Sequence, residues 1–448
     1  MEQKAKMIHF IGIGGIGMSA LAQYFNDQGV VVTGSDRDAS PVTELLEKRG
    51  IRVAIGQKAE NVPVDAGMVV YSDAVPVENP ERARARELGI PELCYFKMLG
   101  QISAGKRTIA VAGTHGKTTT TGMLACILHD AGASPTAIVG SLVKDFGLNR
   151  PAEAIGRTDA DKASVLGSNY VHGDSDLFVV EACEYRDHLL ELTPQILVIT
   201  NLEWDHTDWF PSLEPLQATF RRAIERVPAD GAIVTDPRNP NIAPLLAAAR
   251  ASVIDYTKEP AYELRLPGEF NQNNARAAAA AARVAYPSIT DDAIRASLAA
   301  FQGTWRRFEY KGKTARGADV YDDYAHHPTA VKETLRALRA KTKGKVFVAF
   351  HPHLYSRTRD LLDEFAVAFK DADQVFIAPI YPARELDDGT ISSEILAERV
   401  NGNGTRARAA TFEEIEQIFQ SEPDAGDAVM TMGAGDIYKV ADVLVMQK

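Results

Sequence analysis

The 448-residue chain has few cysteines, no excess of positive charge and no long apolar run. Its three cysteines, Cys94, Cys126 and Cys183, lie far apart and without metal-ligand spacing, which argues against a disulfide framework and a zinc knuckle. No stretch approaches the roughly 18 uninterrupted apolar residues that indicate a membrane helix. The glycine-broken run after Met7 fits a buried strand better than a signal peptide. We therefore expect a cytoplasmic protein without a membrane segment.

The charge balance is acidic. Lys plus Arg number 49 and Asp plus Glu number 60, which gives a formal net charge of −11. Sequence-independent nucleic-acid binding depends on neutralising phosphates with basic side chains, so we expect no nucleic-acid partner. An anionic small molecule would have to be held by positive groups placed locally, against the overall field of the protein.

Predicted strands and helices alternate along the whole chain, which is typical of α/β domains with parallel sheets. At roughly 100–200 residues per domain, the length favours three domains. We place a Rossmann-like N-terminal domain at 1–105, a central P-loop ATPase-like domain at 106–302 and a C-terminal Rossmann-like α/β domain at 303–448. Ligands of such sheets bind beyond the carboxyl ends of the strands, so polar residues there are the candidates for chemistry.

The first domain opens with a short apolar strand and the glycine turn Gly12-Ile13-Gly14-Gly15-Ile16-Gly17. Backbone amides of such a turn, at the start of a helix, bind phosphate. Asp36 ends the next strand, where dinucleotide-binding proteins carry the acid that binds a ribose. This turn alone leaves a nicotinamide-dependent oxidoreductase, another kind of nucleotide site and a purely structural turn open.

The strongest motif, Gly113-Thr114-His115-Gly116-Lys117-Thr118, follows the first strand of the second domain. In a phosphate loop of this kind the amides surround phosphate oxygens, the lysine reaches the terminal phosphates and the hydroxyl binds Mg²⁺. The loop is shortened, because Val111 stands where the full consensus has glycine. A second phosphate loop disfavours the oxidoreductase, since hydride transfer does not need ATP.

Polar clusters follow several later strands. Glu181 ends one strand and His206 follows the next, and with the loop threonine they offer the ligands that one or two Mg²⁺ ions require. In the third domain, strands are followed by Asp322-Asp323-Tyr324-Ala325-His326-His327 and by His351-Pro352-His353-Leu354-Tyr355-Ser356-Arg357. The paired histidines suggest substrate contact, and the guanidinium could bind a carboxylate bidentately.

These motifs resemble those of the ATP-dependent Mur ligases of peptidoglycan synthesis, over essentially the whole chain. The resemblance extends to Tyr71-Ser72-Asp73-Ala74-Val75, to Asn201-Leu202-Glu203-Trp204-Asp205-His206 and to Gly268-Glu269-Phe270-Asn271. It implies a cytoplasmic, amide-forming ligase, monomeric or homodimeric, that uses ATP and Mg²⁺. The carboxylate of UDP-N-acetylmuramate would be activated as an acyl phosphate and joined to L-alanine.

The resemblance also implies a role for each domain, with the UDP substrate on the first, ATP on the second and the amino acid on the third. The implied catalytic residues are Lys117, Glu181 and His206, and the implied metal ligands are Thr118, Glu181 and His206. ATP would be bound by Gly113, Thr114, His115, Gly116, Lys117, Thr118, Thr119, Asn271, Arg307 and Asp323. The UDP substrate would be bound by Gly14, Gly15, Ile16, Gly17, Asp36, Ser72, Tyr324 and His326. L-Alanine would be bound by His353 and Arg357.

Three alternatives stay open at this point. A recycling ligase that joins a preformed tripeptide to UDP-N-acetylmuramate shares most of the motifs, although Tyr355-Ser356-Arg357-Thr358 favours a single amino acid. A nicotinamide-dependent oxidoreductase would leave Gly113–Thr118 unexplained, and a nucleotide-dependent binding protein would form no product.

The chain departs from the family's pattern at Phe270 and Leu354, where many members have His and Arg.

Overall fold

The computed structural model describes residues 7–146 and 167–446, so residues 1–6 and 147–166 of the predicted domains lie outside the described part. The described residues form two compact units. The first comprises the described part of Met1–Leu202 with Gln217–Glu263 and Asn273–Gln302. The second comprises Glu203–Leu216, Leu264–Gln272 and the described part of Gly303–Lys448. None of the helices in these ranges combines the length and apolar character that crossing a membrane requires.

Three separate sheets confirm the predicted three-domain α/β fold class. The first sheet and its helices comprise, in chain order, β1 (Met7–Ile11), α1 (Ile16–Asp27), β2 (Val31–Asp36), α2 (Pro41–Lys48), β3 (Arg52–Ile55), β4 (Met68–Tyr71), α3 (Pro80–Glu87), β5 (Glu92–Cys94) and α4 (Tyr95–Ala104). All its strands are parallel, in the order β3-β2-β1-β4-β5. The strand order reverses between β1 and β4, which creates a crevice at their carboxyl ends.

The second sheet has seven strands, in the order β12-β11-β10-β6-β9-β7-β8, and β7 and β8 are its antiparallel pair. Its elements, with the helices that accompany them, are β6 (Arg107–Ala112), α5 (Lys117–Asp130), β7 (Thr136–Val143), β8 (Ser168–Val171), β9 (Leu177–Glu181), β10 (Ile196–Ile199), α6 (Leu213–Arg226), β11 (Ala232–Thr235), β12 (Ser252–Asp255), α7 (Glu269–Ala285) and α8 (Asp291–Ala300). The central strands are apolar and buried on both faces, as parallel strands covered by helices must be.

The third sheet has six strands, in the order β13-β14-β18-β15-β16-β17, with only the β13–β14 pair antiparallel in this part of the structure. Its elements are β13 (Glu309–Lys313), β14 (Asp319–Asp323), α9 (Pro328–Lys341), β15 (Val346–Phe350), α10 (Tyr355–Asp360), α11 (Leu362–Ala368), β16 (Gln374–Ile377), α12 (Ser393–Gly402), β17 (Arg406–Ala409), α13 (Phe412–Ser421), β18 (Ala428–Met432) and α14 (Tyr438–Met446). Short 3-10 turns complete the described elements at Ala59–Asn61, Lys144–Phe146, Tyr185–Glu191, Ala243–Ala248 and Tyr256–Lys258.

Helix α7 is longer than its composition indicates. The alanine-rich run from Asn274 to Ala285 predicts a helix by its propensity alone, whereas α7 begins five residues earlier, at Glu269. The five residues before the alanines, Glu269 to Asn273, have only moderate helix propensity, but they continue the turn that Gly268 begins. As a result, Asn271 lies in the first turn of a helix.

Candidate active site

The loop between β6 and α5 passes so close to other backbone and side chains that two of its positions admit only glycine. Gly113 has a φ of +129°, and a Cβ there would lie 2.2 Å from Thr200 Oγ1. Gly116 has a φ of +81°, and a Cβ there would lie 2.2 Å from Asn274 Oδ1. Any larger residue would therefore meet both a strained backbone and a clash.

The end of β10 fixes this loop through hydrogen bonds to its central residue. The side chain of Asn201 accepts from His115 N and donates to His115 O, both at 2.9 Å. Thr200 Oγ1 donates to the same carbonyl at 2.6 Å. The structure thus brings the predicted loop residues together at the start of α5, where Thr118 and Thr119 are buried in the first turn.

The ammonium group of Lys117 is held inside the loop. Its Nζ donates to Thr114 O at 3.2 Å, to Gly113 O and to Glu184 Oε1 at 2.9 Å. Burial by itself would lower the pKa of Lys117, but the negative charges around it, Glu184 foremost, raise the pKa above its ordinary value. Lys117 therefore stays charged at neutral pH and supplies the local cation that an acidic protein needs for a polyphosphate.

A hydroxyl and a carboxylate meet beside the loop. Thr118 Oγ1 donates to Glu181 Oε1 at 2.9 Å, and Glu181 Oε2 accepts from Gly140 N at 2.7 Å. Both groups are hard oxygen ligands, so their chemistry fits Mg²⁺ next to phosphates. Cys183 is no candidate nucleophile, because burial and the charge of Glu184 raise the pKa of its thiol to about 12.

The glycine turn of the first sheet lies at the start of α1 and is fixed by the ends of two strands. Gly14 N donates to Asp36 Oδ2 at 2.8 Å, so the carboxylate predicted to bind substrate also holds the turn. Gly12 N donates to Ser35 O at 2.8 Å, and Ser72 N donates to Ile11 O at 3.1 Å. The predicted residues from Gly14 to Gly17, with Asp36 and Ser72, are therefore gathered at the carboxyl edge of this sheet.

A buried network stands behind this turn. Glu81, which is 0% exposed, accepts from Ser35 Oγ at 2.6 Å and from Lys58 N at 3.0 Å, and it lies 3.1 Å from His9 Nε2. Although burial opposes ionisation, hydrogen bonds, that of His9 first, lower the pKa of Glu81. Glu81 therefore supports the strand end that carries the turn.

In the second unit, Arg357 is 2% exposed and organises a polar cluster. Its Nε donates to Asp205 Oδ1 at 2.8 Å, and its Nη1 donates to His353 O at 3.1 Å and lies 3.1 Å from His353 Nδ1. His206 N also donates to Asp205 Oδ1, at 2.7 Å, and His206 has a φ of +54°. Burial would raise the pKa of Asp205, but Arg357 holds it well below its ordinary value.

Two histidines of this cluster are neutral. Burial, and then the charge of Arg357, lower the pKa of His353 to about 3 and that of His326 well below its ordinary value. The two rings lie 6.0 Å apart between centroids, and His326 Nδ1 is 2.9 Å from Tyr324 O. The cluster therefore combines the ion pair of Arg357 and Asp205 with uncharged imidazoles, and the guanidinium nitrogen that faces neither Asp205 nor His353 can bind a carboxylate ligand.

Three residues predicted to bind ATP also lie in this unit. Asp323 accepts from Phe308 N at 2.6 Å and from Ala325 N at 2.7 Å, and burial raises its pKa to about 6 although Arg307 opposes the shift. The guanidinium of Arg307 lies 4.8 Å from the ring centroid of Tyr324. Asn271 is in a different element, where its side chain donates to Pro267 O at 2.7 Å.

Sequence reasoning missed three residues that the structure places in these contacts. Asn201 and Asp205 lie in a quoted motif but had no predicted role, and Glu184 follows the predicted ligand Glu181 by three positions. Both acids are buried, at 1% and 4% exposure. An acidic residue just after the end of an apolar strand indicates a buried ion pair, because a buried charge needs a partner. This signal could be read from the sequence. The predicted metal ligands Thr118 and Glu181 belong to the first unit and His206 to the second.

Comparison with known proteins reveals similarity over the whole chain. Three family models match: "Mur ligase family, catalytic domain" over residues 7–107, "Mur ligase middle domain" over 111–263 and "Mur ligase, glutamate ligase domain" over 306–435. A UDP-N-acetylmuramate–L-alanine ligase from Acetivibrio thermocellus is 38% identical over 99% of this chain and 97% of its own. The crystal structure of a UDP-N-acetylmuramate–alanine ligase from Thermotoga maritima is similar with a TM-score of 0.75 and 26% identity, over 98% of both chains. A murein peptide ligase from Psychrobacter arcticus, at 24% identity and a TM-score of 0.70 over 98% of both chains, shares the fold.

Proposed function

The chain belongs to the Mur ligase family, and we propose that it is the ATP-dependent ligase that joins L-alanine to UDP-N-acetylmuramate. The observation that carries this proposal is the loop from Gly113 to Thr118, with Lys117 charged inside it and Glu181 beside Thr118. The full-length relative of the same name, at 38% identity, supports the choice of substrates. The alternative of a nicotinamide-dependent oxidoreductase is not favoured, because hydride transfer would leave this phosphate loop without a role.

The reaction runs in two steps. A carboxylate oxygen of the muramate attacks the γ-phosphorus of ATP, the bond between that phosphorus and the β–γ bridging oxygen breaks, and ADP leaves. The nitrogen of L-alanine then attacks the acyl carbon, the carbon–oxygen bond to phosphate breaks, and the amine loses a proton. Both reactants of the first step are anions, so catalysis depends on positioning and on neutralising charge rather than on a covalent intermediate with the protein.

Lys117 binds the β- and γ-phosphates in this mechanism, and the loop from Gly113 to Thr119 orients them. Thr118 and Glu181 would hold one Mg²⁺ and His206 would serve a second, and these ions when bound would neutralise charge on the phosphates. Arg307, Asp323 and Asn271 bind the rest of the nucleotide. The glycine loop is already fixed by Thr200 and Asn201, so little ordering entropy remains to be lost on binding.

The first and third domains bind the two other substrates. The glycine turn, Asp36 and Ser72 bind the UDP moiety, with Tyr324 and His326 as further contacts. His353 and Arg357 bind the carboxylate of L-alanine, and Asp205 positions that guanidinium. We retain 1–105, 106–302 and 303–448 as the corresponding domains, and a monomer or homodimer in the cytoplasm as the form of the enzyme.

A phosphate-release assay tests the proposal. Purified protein is incubated with ATP, Mg²⁺, UDP-N-acetylmuramate and either L-alanine, glycine, L-serine or the preformed tripeptide, and the product is identified by mass. We expect phosphate and the alanyl product in equal amounts, with L-alanine preferred. Faster turnover of the tripeptide would identify a recycling ligase instead, and no product with any amine would leave a nucleotide-binding protein.

A further inference from the structure

Tyr95 lies at a position that the proposed roles do not use. It is the first residue of α4, directly after the carboxyl end of β5, and its ring packs against the first turn of α1. A Cβ added to Gly17 would lie 2.6 Å from Cζ and 2.7 Å from the hydroxyl oxygen of Tyr95. Gly17 therefore allows the phenol to lie at the helix start that carries the glycine turn.

The hydroxyl of Tyr95 is available to a ligand. Within the described ranges, 7–146 and 167–446, it makes no hydrogen bond, and the ring's partner is Phe96 in an edge contact at 4.9 Å. Burial, and then the negative charge of Glu181, raise the pKa of Tyr95 well above its ordinary value. The group therefore stays protonated, and a half-buried phenol of this kind acts as a hydrogen-bond donor.

The surroundings of this donor select a negatively charged acceptor. The first turn of α1 presents backbone amides and the positive end of a helix dipole, which favour an anion. Glu181, in contrast, repels one unless a cation stands between them. Both influences reach Tyr95, since its ring touches Gly17 and the negative charge of Glu181 acts on its hydroxyl.

We propose that the Tyr95 hydroxyl donates a hydrogen bond to an anionic oxygen of bound UDP-N-acetylmuramate and aligns that substrate between the glycine turn and Glu181. This inference rests on the proposed function. The acceptor has the chemistry of a phosphate or carboxylate oxygen, and the substrate offers both, in its diphosphate and in its muramate carboxylate. A contact of this kind makes Tyr95 a substrate-binding residue of the ligase.

Replacement of Tyr95 by Phe removes the donor and keeps the ring against Gly17. We expect kcat/KM for UDP-N-acetylmuramate to fall about 10- to 100-fold, which is the loss of one hydrogen bond to a charged group, while KM for ATP changes less than about twofold. UDP as a competitive inhibitor separates the two acceptors. Its inhibition constant rises by the same factor if the diphosphate accepts, and is unchanged if the muramate carboxylate accepts.

The matched control is Tyr310→Phe, which removes the hydroxyl of a half-exposed tyrosine on β13 and should leave every constant unchanged. Gly17→Ala is the second variant, since its methyl group must displace the Tyr95 ring; it should weaken UDP-N-acetylmuramate binding, and adding Tyr95→Phe should weaken it little further. If a variant loses turnover, calorimetry measures its affinity for UDP-N-acetylmuramate directly.

Wild-type kinetics and wild-type substrate binding in Tyr95→Phe would overturn the inference while leaving the ligase assignment intact. A wild-type protein that forms no product from UDP-N-acetylmuramate would instead overturn the assignment. Equal weakening of ATP and UDP-N-acetylmuramate binding, with a lowered melting temperature, would make Tyr95 a structural residue and also overturn the inference.

Discussion

The cluster around Arg357 makes a quantitative prediction about recognition of the amino acid. Asp205 accepts a hydrogen bond from Nε of the guanidinium, and Nη1 contacts His353. Within the described part of the chain, Nη2 is therefore the nitrogen left for a ligand. In Arg357→Lys a compact ammonium replaces a planar fork whose nitrogens point to different partners, so it cannot keep the Asp205 contact and also reach the substrate from the position of Nη2. Loss of one charge-assisted hydrogen bond, about 1.5–3 kcal/mol, should raise KM for L-alanine roughly 10- to 150-fold.

Arg357→Ala adds a cost in stability. Asp205 is 4% exposed and would be left as a buried charge without its partner, for which we expect a loss of about 3–5 kcal/mol in the free energy of unfolding. The double variant with Asp205→Ala removes the orphaned charge and should recover part of this loss. A double-mutant cycle in urea measures the coupling between the two residues.

The assay varies L-alanine at saturating ATP and UDP-N-acetylmuramate and follows phosphate release. Arg359→Lys is the control, because Arg359 lies on the same helix but pairs with Asp360 and Asp388 at the surface. Its constants should equal those of the wild type. A folded Arg357→Lys variant with the wild-type KM for L-alanine would show that the carboxylate is held by other residues.

Three further predictions concern the loop and the third domain. Lys117→Met should abolish phosphate release, while calorimetry still detects UDP-N-acetylmuramate binding; normal product formation would remove the loop from the mechanism. Gly113→Ala should lose ATP binding and lower the melting temperature, since its Cβ would lie 2.2 Å from Thr200 Oγ1; an unchanged ATP affinity would contradict the geometry. Asp323 has a folded-state pKa of about 6, above its ordinary value of 3.8, so stability should decrease by about 2 kcal/mol as pH rises from 4 to 6. Urea titrations at several pH values in that range give the free energy of unfolding, which should change less with pH in Asp323→Asn than in the wild type.

Local patterns predicted most of the fold. The apolar strand of β6, followed at once by glycines and a helix, could be read from the sequence because hydrophobic runs and turn residues act over short distances. The same holds for the glycine turn after β1. The start of α7 was predicted too far along the chain, because composition indicates only the alanine-rich part of the helix. The helix in fact begins directly after Gly268, whose positive φ sets the turn before it.

Pairings between distant residues could not be predicted in this way. Arg357 and Asp205 are 152 positions apart, and only the folded second unit brings them together. The adjacent pair Arg306-Arg307 gives another example, since the sequence does not say which side chain is buried. In the structure Arg306 is buried: its Nε donates to Asp322 Oδ2 at 2.8 Å and its other nitrogens donate to backbone carbonyls. The guanidinium of Arg307 lies beside the ring of Tyr324 instead.

The position of β18 has a consequence for how the protein is made. This strand lies between β14 and β15, and the register pairs Ala428 with both Asp319 and Val346. During synthesis at roughly 5–20 residues per second, β14 leaves the ribosome about 5–20 s before the strand that separates it from β15. Throughout that interval the edges of β14 and β15 that will face β18 are open, and each can pair with another nascent chain. We therefore expect chaperones to bind the third sheet until its central strand arrives, and synonymous codon choice between 324 and 427 would set the length of its exposure.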